Sequence, residues 1–419
     1  MPTLADVSSP AARPRIATGK LVRTWFILLP LLYYTSSGFP GAADAGSAQS
    51  ASFAHQIGLL IVSVICATLI AKRFTAIMSA SIRMLPVLAL PVLALLSSAW
   101  SVDPRQSLIS GITFLCFMLF AIYIAETFSP DGQLDLIMLT GAIAVPASIA
   151  LALFVPSIGA TPAGWRGIFV HKQQCAAAVT LFLATALHWK PGHALLRPLR
   201  AVYVVLCLVL IIMSQSRTGW LLTLLALTLY GSLRFLQRLA AKDSLLVTLT
   251  AIPVIGVLAY LFSLLASLIL STVGKDPTLT ERTVIWAAVW DAIQQRPLLG
   301  YGYEAFWRGL QGASKHVVLI AGWNLYQAQS GYLDVWLQLG VGGFILLVLM
   351  TLQAGADAVR SFRRKSNPSF VRWCIVVILC NLVYNIGESD MGLLRISWFL
   401  FVLACIGLNK EANPTQVAC

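Results

Sequence analysis

Apolar stretches close to the length that crosses a bilayer recur along almost the whole chain, and they restrict its fold more than any other feature. A helix needs about 20 apolar residues to cover ~30 Å of hydrocarbon. Twelve stretches near that length lie between Trp25 and Leu408, with cores at 24–39, 56–71, 84–100, 107–125, 135–155, 174–189, 200–213, 219–235, 245–271, 332–353, 371–386 and 395–408. Within hydrocarbon a backbone satisfies its N–H and C=O groups as a helix or as a closed barrel, and runs of this length are helical. The expected fold is therefore an all-α polytopic integral membrane protein with about 12 transmembrane helices. Composition agrees, with 58% hydrophobic and 11% charged residues, where a soluble domain carries about a quarter charged.

Lysine and arginine give these helices a direction. With the N-terminus inside and strict alternation, nineteen of the 29 Lys and Arg fall on the inner side and ten on the outer. That is the bias cytoplasmic loops carry, and it explains the net charge of +13 without nucleic acid as a partner. The opening "MPTLADVSSPAARPRIATGK" lacks the short apolar core and cleavage site of a signal peptide, so it reads as a retained tail. The expected order is a cytoplasmic tail 1–23, transmembrane helices one to nine in 24–271, a large outer loop 272–330, helices ten to twelve in 331–408 and a cytoplasmic tail 409–419. Most of the eight cysteines fall inside apolar stretches and show no disulfide pattern.

The outer loop is about sixty residues long, well beyond an ordinary connection, and loops of that length are usually functional. Thr278 to Glu281 fits a capping box. Beyond it Ile285, Val289 and Ile293 share one helical face and Pro297 ends the run. A helix lying over the outer mouth follows.

Four cations gather at this outer face from three separate loops. Arg166 and Lys172 stand in "GWRGIFVHK", Arg217 in "SQSRTGW", and Arg282 in the first turn of the loop helix. Arginine presents a fork that fits phosphate oxygens, lysine adds a point charge, and a helix N-terminus adds its positive end. A lipid-linked diphosphate is a ligand that needs such an arrangement. Arg105, Arg308 and Arg395 read instead as interfacial anchors. In "NLYQAQSGYLDVWLQLG", the residues Asn324, Tyr326, Gln327, Tyr332 and Asp334 supply amide, hydroxyl, carboxylate and aromatic groups suited to an acceptor glycan. A transporter would place charge near the middle of its spans, and these span centres hold almost none.

These pieces resemble the O-antigen ligase and Wzy-type polymerase superfamily (Wzy_C), and within it the ExoQ-like exopolysaccharide-production branch. The likeness rests on "WRGIFVHK" (165–172), "SQSRTGW" (214–220), "ERTVIWAAVWDAIQQRPLLGYGYEAFW" (281–307), "SGYLDVWLQLGVGG" (330–343) and Glu388-Ser389, in the family's order. The resemblance implies a metal-independent, cofactor-free glycosyltransferase of GT-C-like architecture and inverting type in the bacterial inner membrane, with cytoplasmic termini and a periplasmic active site. It would polymerise exopolysaccharide repeat units from an undecaprenyl-diphosphate-linked oligosaccharide, with a chain-length regulator and a flippase as further partners. A ligase moving the glycan to lipid A core or protein is the near alternative, and a non-catalytic export scaffold or transporter the remote one. By that likeness Arg166, Arg217 and Arg282 bind the donor diphosphate.

One departure stands out. Relatives carry a histidine, proposed to activate the acceptor, where this chain has Gln329, and glutamine takes no proton near neutral pH. Three readings stay open: His171, Glu304 or Glu388 acts as the base; Gln329 orients an acceptor that loses its proton late; or the chain is a divergent or inactive relative.

Overall fold

A computed structural model describes residues 18–36, 53–239, 280–364 and 367–413. The ninth expected stretch, 245–271, and Thr278 of the expected capping box lie outside the described residues. The described elements run α1 (Thr18–Ser36), α2 (Phe53–Ala71), α3 (Phe74–Arg83), α4 (Leu85–Leu96), α5 (Pro104–Thr127), α6 (Pro130–Phe154) and α7 (Pro156–Gly159). A two-stranded antiparallel turn, β1 (Ala160–Thr161) and β2 (Gly164–Trp165), precedes α8 (Lys172–His188), α9 (Leu196–Met213) and α10 (Arg217–Leu239). Then come α11 (Thr280–Gln295), α12 (Lys315–Ala321), α13 (Gly331–Arg364), α14 (Pro368–Gly387) and α15 (Ile396–Ala412).

Among the described residues six helices, α5, α6, α9, α10, α13 and α14, are long and apolar enough to cross a membrane. The protein is thus a mostly helical, polytopic membrane protein. The remaining described apolar cores coincide with α1, α2, α4, α8 and α15. Helix α3 was not foreseen; it fills the short connection after Lys72 and Arg73.

Three helix starts follow from two-residue signals. Asp103-Pro104, Ser129-Pro130 and Asn367-Pro368 each place a capping side chain before a proline. Their oxygens accept from the N–H groups of Gln106 (3.0 Å), Gly132 (3.2 Å) and Phe370 (3.4 Å). The cap satisfies a donor the helix cannot, and proline suits the first helical position because its missing N–H is not needed there.

Cross-helix hydrogen bonds sort the helix ends onto two faces. On one, Trp100 Nε1 donates to Leu299 O (2.8 Å), Lys172 Nζ to Gln215 O (3.3 Å) and Ser330 N to Ser389 Oγ (2.9 Å). On the other, Trp189 Nε1 donates to Asp135 Oδ1 (2.6 Å), Ser369 Oγ to His188 O (2.7 Å) and Asn409 Nδ2 to Asp357 Oδ2 (2.9 Å). From α5 to α10, and again from α13 to α15, successive long helices therefore run antiparallel. Helix α15 lies at the centre: from Ile396 to Leu408 every side chain is buried, with Trp398 and Phe401 stacked at 4.8 Å.

Residues 280–328, within the stretch expected as a large outer loop, fold into a small core of their own. The predicted face of α11, Ile285, Val289 and Ile293, is buried with Tyr301, Phe306, Val317, Leu325 and Leu337. It is attached to the bundle through a break in α13. Gly340 has φ 66° and ψ −166°, so the helix is interrupted there. The freed carbonyls of Leu337 and Gln338 accept from the N–H groups of Tyr301 (3.0 Å) and Gly302 (2.9 Å), and Val341 N–H donates to Pro297 O (2.9 Å). Interrupted backbone at membrane depth is tolerated where protein satisfies it. The approach demands glycine, because a Cβ on Gly340 would fall 2.1 Å from Leu298 O.

Candidate active site: a cationic mouth with two buried acid pairs

The break in α13 fixes Tyr303 and Glu304. Tyr303 N–H donates to Ser97 Oγ (2.9 Å), Ser107 Oγ donates to Tyr303 O (2.8 Å), and the Tyr303 hydroxyl donates to Gly392 O. Held this way, Glu304 takes a left-handed backbone with φ 56° while its N–H donates to Gln338 Oε1 (2.8 Å). It lines a cavity of ≈ 10 Å³ with Gln338, Leu90, Phe114 and Met391, room for about one water. Burial, with the Asp334 carboxylate nearby, pushes the Glu304 pKa up to about 7, while Arg395 pulls it down.

Asp334 is 4% exposed and frames the start of α13. It accepts from Trp307 Nε1 (2.9 Å) and from Ala328 N–H (2.8 Å), and Ser389 also bonds to its side chain. Next to this clamp Ser330 N–H donates to Ser389 Oγ (2.9 Å) and Gly331 N–H to Glu388 O (3.0 Å). Gln329 lies between the pinned residues 328 and 330, half-buried and left-handed with φ 55°. Among the described residues Gln215, Glu304 and Gln329 are the non-glycine residues with positive φ, and all three are on this face. Such backbone persists where the surroundings over-determine it, which is common at functional sites.

Two acid pairs line the far wall. Arg282 Nη2 donates to Glu388 Oε1 at 2.8 Å, and its guanidinium lies against Gly387, where a Cβ would fall 2.4 Å from Nη1. Burial raises the Glu388 pKa and the Arg282 charge opposes that rise. Asp390, fully buried, pairs with Arg395 and accepts from Ser397, and its N–H donates to Asn385 Oδ1 (2.7 Å). Arg395 is thus not the headgroup anchor the sequence suggests. It turns inward, acts on Glu304 and Asp334, and is charge-stabilised by Asp390 although burial opposes it. Arg308, read as another anchor, pairs with the Asp103 cap of α5.

The other cations close the ring. Arg166 Nε donates to Ile158 O (2.7 Å), and Lys172 Nζ donates to Ala163 O (2.7 Å) and Gln215 O (3.3 Å), tying the α7–α8 connection to the α9–α10 turn. Arg217 starts α10 half-buried. No carboxylate pairs with Arg166 or Arg217 among the described residues. His171, the residue before α8, is exposed at the mouth. The protein around its ring, with Arg395 and then Arg166 close by, lowers its pKa, while Asp390 acts in the opposite sense.

Of the sequence-predicted residues, Gln329, His171, Glu304, Glu388, Arg166, Lys172, Arg282 and Asp334 belong to this connected network, and Lys172 brings the Arg217 turn to it. Asn324 and Tyr326 are exposed on the loop above, and Gln327 is half-buried. Tyr332 points into the bundle, its hydroxyl donating to Leu382 O (2.8 Å). Sequence reasoning read Arg395 as an anchor, had Ser389 only as part of a motif, and missed Asp390 and Asn385. The signal was present in "ESDMGLLR", where two acids and an arginine share a short turn. Among the described residues no group of three His, Cys, Asp or Glu side chains could hold a metal ion.

Comparison with known proteins agrees with the motifs. Residues 202–348 match the family model described as O-antigen ligase, a stretch that includes Arg217, Arg282, Glu304 and Gln329. The chain is also 26% identical over 291 residues to the exopolysaccharide production protein ExoQ of Rhizobium meliloti (strain 1021). That alignment covers 64% of this chain and 63% of the relative, so the chain spans less than two thirds of the relative's length. The resemblance drawn from the sequence is thereby borne out.

Proposed function

We propose that this protein is a glycosyltransferase that polymerises exopolysaccharide repeat units from an undecaprenyl-diphosphate-linked donor. In this reading the chain crosses the bacterial inner membrane twelve times with both termini cytoplasmic, and the mouth faces the periplasm. The observation that carries the reading is the unequal pairing of charge. Arg282 and Arg395 are each held by an acid, whereas Arg166 and Arg217 pair with no carboxylate among the described residues. Guanidinium groups that pair with no carboxylate among the described residues suit a diphosphate and stabilise the charge that develops as it leaves.

The acceptor hydroxyl oxygen forms the new bond at the anomeric carbon of the donor sugar. The bond from that carbon to the diphosphate oxygen breaks, its electron pair leaving with the diphosphate, and the hydroxyl proton goes to a base. A single displacement of this kind inverts the anomeric centre. We assign the base to His171, which is open to the mouth and whose pKa is lowered first by the protein around its ring and then by Arg395 and Arg166. Glu388 is committed to Arg282, and Glu304 sits behind the wall in its small cavity, where it sets the field around Arg395. Gln329, whose neighbours on both sides are pinned, orients the acceptor by its amide.

The ligase alternative shares this chemistry and differs in acceptor. Purified protein given a synthetic lipid-diphosphate repeat unit tests both. Polymerisation predicts a ladder of lengthening lipid-linked products, lost in Arg166→Ala and Arg217→Ala. Transfer to lipid A core with no ladder would favour the ligase, and an unchanged ladder in Arg217→Ala would sink the diphosphate assignment.

A further inference from the structure

The opposite face carries a second cluster that glycan transfer does not use. His188 ends α8, Tyr230 and Arg234 lie in the second half of α10, and Arg372 lies in the second turn of α14. His188 is 2% exposed; its Nδ1 is 2.7 Å from Ala184 O, and its Nε2 is buried without a hydrogen-bond partner. The Tyr230 ring meets the His188 ring edge-on at 5.0 Å. The Arg234 guanidinium lies over Tyr230, 5.7 Å from the ring centroid, and donates to its hydroxyl at 2.6 Å. Arg372 donates to Gln237 Oε1, and its Nε is buried without a partner.

Arg234 and Arg372 are close enough to act electrostatically on each other, and both act on His188. Like charges at such range repel, yet no Asp or Glu pairs with either guanidinium among the described residues. Two carboxylates of the same face are already engaged, Asp135 by Trp189 Nε1 and Asp357 by Arg360 and Asn409. Among the described residues the cluster thus combines two uncompensated guanidinium groups with two buried, unpartnered nitrogens.

We infer that this cluster binds a phosphate group, supplied by a phospholipid headgroup of the adjoining leaflet or by free phosphate. A tetrahedral anion neutralises both guanidinium groups, accepts from Arg372 Nε and shares a proton with His188 Nε2. The surroundings favour the lipid source: Leu227 and Phe235 on α10 are exposed on either side of Arg234, the kind of surface acyl chains cover, and basic pockets between membrane helices bind anionic headgroups.

The test uses the full chain purified in detergent and reads lipid binding by native mass spectrometry and by shift of the thermal midpoint. Probes are phosphatidylglycerol, phosphatidylcholine and inorganic phosphate. Wild type should prefer phosphatidylglycerol, and Arg234→Gln/Arg372→Gln should bind it roughly thirtyfold more weakly, about fivefold for each basic residue beside an anionic leaflet. The double lysine variant should keep most of the affinity, and Arg197→Gln, exposed on the same face, should stay within about twofold. Arg234→Gln alone, at an exposed position, reads the same loss in part if the double variant folds poorly. A midpoint shift with inorganic phosphate equal to that with lipid assigns the site to free phosphate. Equal binding by wild type and Arg234→Gln, or a loss in Arg197→Gln as large as in Arg372→Gln, would overturn the site.

Discussion

Glu304 holds a left-handed backbone and a carboxyl group displaced towards neutrality, and the two have one origin in the loop threaded through the break of α13. Its folded pKa, about 7, lies above the usual carboxylate value. A group raised in this way contributes stability that is full below its unfolded pKa and is lost as pH rises through the folded one. Glu304→Gln should therefore unfold at a higher temperature than wild type at pH 8 and at nearly the same temperature at pH 4, read by thermal denaturation in detergent. The reverse order would contradict the buried setting. The base assignment makes a separate pH prediction. A base must be unprotonated, so the transfer rate falls as pH drops through its pKa. With His171 lowered from 6.5, the acid limb of the rate profile should lie below pH 6.5. A limb centred near 7 would instead point to Glu304. At this scale the sequence was partly legible. Arg166, Lys172, Arg217 and Arg282 could be found because topology alone puts them on one face. Arg395 could not, since its inward turn depends on Asp390 being buried five residues earlier, and sequence order does not report depth.

Helix α13 shows how an element sets up the site. A continuous helix from Gly331 would have no carbonyl free to receive Tyr301 and Gly302; the interruption at Gly340 supplies two. Gly340→Ala should lower stability by more than ~1 kcal/mol, because alanine resists positive φ and its Cβ would meet Leu298 O, 2.1 Å away. Gly342→Ala is the matched control. Its Cβ would meet nothing closer than Leu93 Cδ2 at 3.7 Å, and alanine favours a helix interior by about 0.5–1 kcal/mol over glycine. Thermal unfolding of the two variants should move in opposite directions; a common direction would remove the argument from close approach. The buried face of α11 matched expectation, and the Asp-Pro, Ser-Pro and Asn-Pro starts carry local signals of the same strength. The break was not legible, because a glycine in "QLGVGG" looks the same whether a neighbouring loop needs its carbonyls or not.

For the whole molecule, the run of apolar stretches was enough to give a helical membrane protein, since lipid permits few other solutions. The central place of α15 was hidden, because a helix buried by protein and one facing lipid are equally apolar. The two faces divide the labour of charge: one gathers Arg166, Lys172 and Arg217 beside buried acids, the other carries the basic connections and the His188 cluster. If the first face is a donor-diphosphate site, the most direct measurement is the pool of lipid-linked glycan in the host. With the protein deleted and wild type restored, long surface polymer should return; with Arg217→Ala at equal expression, single lipid-linked repeats should accumulate and long polymer should be lost. Normal polymer length in the Arg217→Ala strain would contradict the account.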